Sequence, residues 1–264
     1  MNLLPIAAVF IFMVPILLIA GLIKRLGKRS DFYEYIILSS GSVLLSILLY
    51  LGLYAWVKGQ SAFDAVWNSF RQDFLHGPIG AEQVLSIYHQ LGFFENFTTG
   101  GQLADFLIGQ MKMVVPAGIL LFSLVYGVIV FLVTRLIMKR LGFSVCAVRA
   151  FEDWALPRRM AFGLIILLLI SFLAGSLGIA RFEVIRYTIA VLISFLFTVL
   201  GLSVLWFFLK AGRVPSVFRW LLTILAFLVA GFALPFLGLL DQLVLIRLRY
   251  KKRFVVKNEG QGKL

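Results

Sequence analysis

The sequence predicts an all-α, polytopic transmembrane bundle, and three observations lead there. Hydrophobic residues make up 61% of the chain and charged residues only 14%, well outside the range of soluble domains. Apolar runs near the ~20 residues that span a bilayer recur from one end to the other. Lys and Arg fall in short clusters at the ends of those runs, where they orient helices and meet anionic headgroups. The whole chain, 1–264, reads as one integral membrane domain.

A first span is expected over about 3–23, bent but not prevented by Pro5 and Pro15. No basic residue precedes its apolar run and four follow it, the reverse of a secretory signal. It should stay attached with its start outside. A second span is expected over about 32–57, with aromatic residues at both ends.

Residues 58–112 differ, with three Lys or Arg against five Asp or Glu and both histidines. Phe63, Val66, Trp67, Phe70 and Phe74 recur at spacings of three and four, an amphipathic stripe. We read 58–112 as an external amphipathic cap, either a lid over the bundle or a connector resting on lipid.

Further spans are expected over about 113–138, 160–180 and 187–209. The last apolar stretch, 216–246, has 31 residues, ~46 Å as a straight helix against a hydrocarbon core of ~30 Å. A single crossing splits the Lys and Arg residues 13 inside to 12 outside, whereas two crossings with a break near Gly231 and Pro235 split them 20 to 5. The positive-inside rule favours the second, hence seven spans with 247–264 as a basic cytoplasmic tail. Six spans with a steeply tilted final helix is the alternative.

The net charge of +13 is accounted for by these terminal clusters, so no nucleic-acid partner is expected. The expected partners are a bilayer with anionic headgroups, a small-molecule solute, and a membrane or cytoplasmic protein. Cys146 is the only cysteine, so no internal disulfide or cysteine-built metal site forms. Neither His76 nor His89 lies in a span, and no nucleophile, zinc or phosphate-loop motif occurs. No enzyme activity, metal or cofactor is expected.

Asp241 is the sharpest candidate for function, since a carboxylate deep in hydrocarbon costs at least ~2.5 kcal/mol and usually pairs or lines a polar path. Arg247 follows six residues later, ~240° round a continuous helix, so the expected counter-ion is Lys210 or Arg213. The acid serves either a solute contact or a structural ion pair. The second candidate is "AFEDWALPRR". Pro157 suits the first turn of a helix, Trp154 an interface, and Arg158 and Arg159 the headgroups. Glu152 and Asp153 meet either a basic partner protein or Arg149 and Arg158. Gly41, Gly127, Gly175, Gly178 and Gly201 permit close helix contact.

The order "MVVPAGILLFS", "TRLIMKRLGF", "FEDWALPRR", "GLSVLWFFLKAGRVPSVFR" and "LGLLDQLVLIRLR", over about residues 60 to 253, resembles the YybS-like family of multi-pass bacterial membrane proteins. The resemblance implies the bacterial plasma membrane and a fold similar to the substrate-binding subunits of energy-coupling-factor transporters. It therefore implies a small-molecule site within the bundle. The first span here lacks the Ala-x-x-x-Ala face with which many of those subunits grip their coupling partner. The rival expectation is a non-transporting membrane scaffold or assembly factor acting through its cytoplasmic face.

Overall fold

A computed structural model describes residues 6–7, 9–26, 31–77, 80–94, 96–176 and 182–250. These are helical with no strand among them. The chain divides into two compact units, Met1–Ala147 and Val148–Leu264. Residues 251–264 of the expected tail, and Gly178, lie outside the described residues.

In the first unit, a wide π-type turn at Val9–Met13 leads into α1, Val14–Leu26. Pro15 falls where this turn passes into α1; it supplies no N–H, and the wide turn before it accommodates the lost hydrogen bond. Helix α2, Phe32–Lys58, begins where Asp31 accepts from the Phe32 N–H and ends at left-handed Gly59.

The amphipathic segment forms α3, Ala62–His76, capped by Ser61, and α4, Ala81–Gln90. No α3 residue is fully buried, and Val66 is exposed while Phe63, Trp67, Phe70 and Phe74 are half-covered. Both helices pack on the next one, and Arg71 of α3 pairs with Asp105 across 2.8 Å.

That next helix corrects the sequence expectation. Instead of a cap helix followed by a separate span from 113, α5 runs unbroken over Gly100–Arg140, 41 residues or ~61 Å. The fall in hydropathy before 113 marks a change of surroundings, because Gln110, Met111 and Lys112 are good helix formers that supply no stop. Pro116 is carried inside the helix. Thr99 caps its start, and the Glu82 carboxylate accepts from the Gly100 N–H at 2.7 Å, where negative charge is favoured.

The core of this unit joins α2 and α5. Tyr35 stacks on Phe131 with ring centroids 5.6 Å apart, beside Phe32, Val43 and Val130. Ser39, Ser42 and Ser46 face the buried side and bond back to carbonyls of their own helix, which satisfies them without a partner helix. A side chain at Gly127 would overlap the Ser40 backbone, whereas Gly41 has open space around it. Of those two glycines, the sequence reading holds for Gly127 alone.

The second unit comprises a 3₁₀ turn at Phe151–Asp153, α6 at Arg158–Ser176, α7 at Phe182–Ala211, α8 at Ser216–Ala230 and α9 at Leu234–Val244. The most extensive helix pair is α7 with α9. A Cβ at Gly201 would overlap the Leu234 carbonyl, and one at Gly238 the Phe197 carbonyl, so these backbones touch through paired glycines. Ile193, Phe197 and Leu200 form the core, with Leu164, Ile165 and Leu168 of α6 and Leu239 of α9 against them.

The break expected near Gly231 and Pro235 is present. Helices α8 and α9 are bent by 108° between Ala230 and Leu234, and Pro235 opens α9. The arms have 15 and 11 residues, ~22 and ~16 Å, each short of the ~30 Å core. Among the described residues, α2, α5 and α7 are long and apolar enough to cross a membrane, and the bent pair makes a fourth if it is one span.

Candidate functional site

The site forms where α9 ends. Leu245 adopts the left-handed conformation at φ 58, and its N–H closes on the Asp241 carbonyl at 2.8 Å. A branched side chain is strained there, by roughly 1–2 kcal/mol. The kink stops the helix and turns the chain back before helical geometry resumes over 246–250. Arg247 thereby faces Asp241.

This is a correction with a physical reason. The ~240° offset between residues six apart holds only for a continuous helix, and one left-handed residue removes it. Arg247 Nε and Nη2 reach Asp241 Oδ2 at 2.8 and 2.7 Å, and the Arg247 backbone N–H donates to Oδ1 at 3.1 Å. Lys210 instead pairs with Glu152, a cation that the sequence reading assigned to Asp241.

Asp241 is 4% exposed and Arg247 6%; Arg247 thus belongs to the interior rather than to a basic tail. Such a pair persists only where hydrogen bonds satisfy the rest of each group. Here they do. Nη1 donates to the Glu152 carbonyl at 2.7 Å and to Ser203 Oγ at 2.8 Å, and Nη2 donates to the Trp154 carbonyl at 2.9 Å. With the bonds to Asp241, all five guanidinium N–H groups are used. Ser203 of α7 donates onward to the Phe151 carbonyl at 2.7 Å. The network fastens the "FEDW" turn, α7 and the end of α9 at one point.

The turn arrives in register because its aromatics pack. Phe151 lies edge-on to Trp154 and to Trp206 of α7, with centroids 5.3 and 6.1 Å apart. The Trp154 indole N–H donates to the Arg149 carbonyl at 3.2 Å. Pro157 follows, its carbonyl accepting from Met160 and Ala161 as α6 begins. Beyond Arg247, Tyr250 packs against Phe207 and Phe208.

A cavity of about 430 Å³ opens beside this node, lined by second-unit residues alone. Glu152, Asp153, Arg158, Asp241, Gln242 and Arg247 supply its polar wall, and Leu156, Leu245 and Leu248 its apolar one. Asp153, Arg158 and Arg159 are exposed, and Arg159 is not among the lining residues. The Lys210 ammonium beside Glu152 holds that carboxyl below its usual range.

The sequence singled out Asp241 and the Glu152, Asp153 and Trp154 turn as two separate candidates; the structure brings them to one place and adds three contributors. Ser203 and Gln242 were legible as lone polar groups in apolar runs, the same signal that marks Asp241. The Arg247 partnership was not, since no sequence pattern announces a left-handed leucine.

This geometry sits on a chain whose residues 1–242 match a family described as a predicted membrane protein, DUF2232. The chain belongs to the DUF2232 family. The DUF2232 match takes in α1 and α2, reaches Asp241 and Gln242, and stops short of Leu245 and Arg247. No curated protein and no solved structure matches the chain. This DUF2232 chain is thus a membrane protein with apolar helices and no activity supplied by analogy.

Proposed function

We propose that this DUF2232 protein binds a small solute in the cavity beside Asp241 and Arg247, in the manner of a transporter substrate-binding subunit in a bacterial plasma membrane. The observation that carries the reading is a concave site of about 430 Å³, within the ~300–1,000 Å³ of small-molecule pockets, with an apolar wall and convergent polar groups. Asp241 acts in it by position. Its carboxylate is occupied by Arg247, so it holds the wall and does not ligate the solute. The seven-crossing arrangement, with the N-terminus outside and the C-terminus in the cytoplasm, belongs to the same reading.

The test is a metabolite screen on purified protein in detergent, read by thermal unfolding, alongside Leu248→Trp to fill the cavity. A stabilising compound whose effect Leu248→Trp abolishes supports the site. A broad screen in which nothing stabilises the wild type removes the reading.

A second reading, a non-transporting scaffold, draws on the saturation of Arg247, since a guanidinium with every N–H spent is also how a purely structural latch is built. Crosslinking in cells separates the two. A stoichiometric protein partner lost on Asp153→Ala, with no compound found by the screen, decides for the scaffold.

A further inference from the structure

We infer that the cavity takes an amphiphile with a single negative charge, a carboxylate or phosphodiester seated on Arg158 and Gln242, its short apolar body against Leu156, Leu245 and Leu248. This rests on the solute-binding reading and names the solute's chemical class.

Two independent observations lead to it. The first is charge. Around the cavity, Glu152 is engaged by Lys210 and Asp241 by Arg247, and Asp153 has an interaction of its own. Arg158 makes no hydrogen bond or ion pair among the described residues, and it lines the cavity. It opens the 19-residue helix α6, whose first turn carries no acid, so the helix terminus adds to its positive potential.

The second is Gln242. It is 5% exposed and lines the cavity, and its carboxamide has no hydrogen-bond partner among the described residues. Neither amide atom is among the fully enclosed unpaired atoms, which are Thr134 Oγ1 and Arg219 Nε. The carboxamide is therefore not sealed within the protein, and the residue that carries it lines the cavity. A buried amide kept without a protein partner is suited to a ligand, and its N–H groups are donors for an anion.

The remaining wall selects further. Asp153 and Glu152 line the same cavity and disfavour a multiply charged ligand, whereas the three leucines favour an attached hydrocarbon. Both a lipid headgroup and a soluble metabolite offer this chemistry.

Methyl octyl phosphate, a singly charged diester, octanoate, octanol and octyltrimethylammonium are titrated into the delipidated full-length protein, with Arg158→Gln, Gln242→Leu, Gln242→Glu and Arg159→Gln as variants. The two anions should stabilise the wild type and the neutral and cationic probes should not. Arg158→Gln and Gln242→Glu should each weaken anion binding at least tenfold, and Arg159→Gln, which removes the same charge one residue outside the cavity, should leave it unchanged. Gln242→Glu keeps the shape should Gln242→Leu fail to fold. Equal losses from Arg158→Gln and Arg159→Gln overturn the inference in favour of general charge attraction. Preferential binding of octanol or the cation overturns it and leaves solute binding standing, whereas silence from all four probes and from the metabolite screen removes both. Native mass spectrometry of the protein before delipidation distinguishes the sources. A retained anionic phospholipid, lost in Arg158→Gln, assigns the site to lipid, and its absence alongside octanoate binding assigns it to a soluble acid.

Discussion

Arg247 folds back onto Asp241 across a left-handed Leu245, closing a buried ion pair between residues six apart in one chain segment. The pair differs from an isolated intramembrane acid in that its cation also holds three oxygens from the "FEDW" turn and α7. Removing either partner leaves a buried charge uncompensated, so Asp241→Asn and Arg247→Gln should each destabilise by about 3–5 kcal/mol. The double variant should cost clearly less than the sum. Unfolding of the purified protein in detergent measures all three, and strict additivity would show that the two side chains do not depend on each other.

The α7–α9 crossing sets a second expectation. Gly201 and Gly238 meet backbone carbonyls of the opposite helix, so Gly201→Ala or Gly238→Ala should cost ~1–3 kcal/mol or more through forced separation of the helices. Gly163 of α6 has nothing within 4 Å, and Gly163→Ala should be neutral or gain up to ~1 kcal/mol from helix propensity. The same unfolding assay ranks them. Equal effects at the three sites would mean that the helices do not touch there.

Acid should release the latch between Glu152 and Lys210. Hydrogen bonding to Lys210 lowers the Glu152 pKa in the folded protein, so its contribution is present above the ordinary glutamate value near ~4.3 and is lost as pH falls through the lower folded value. Lys210 is 56% exposed, which limits the gain to about 1 kcal/mol. The stability difference between wild type and Glu152→Gln should be flat from pH 7 to 5 and shrink below ~4.3. A difference that grows with acid would contradict the pairing.

Labelling can establish the course of the last segment. On a Cys146→Ala background, single cysteines at Gln60 and Lys263 should react from opposite sides of intact cells, Gln60 from outside. Reaction of both from outside would mean that the bent pair α8–α9 makes one net crossing.

Much of this architecture was legible because hydropathy and charge act locally. The apolar runs marked α2, α6 and α7 to within a few residues, Gly231 and Pro235 marked the break, and the cost of Asp241 in hydrocarbon marked the site. The join within α5 was misread because a change from polar to apolar surroundings resembles a helix boundary, yet the backbone bonds there need no change.

What the sequence determined by itself is therefore a membrane-embedded helical chain with an interior acid near its end. Only the tertiary structure decided which cation answers that acid, and that Ser203 and the "FEDW" carbonyls gather around that cation. Helical periodicity specifies which faces align only while a helix continues. At Leu245 it stops, and from there side-chain direction follows from the few buried hydrogen bonds strong enough to hold the chain in a strained turn.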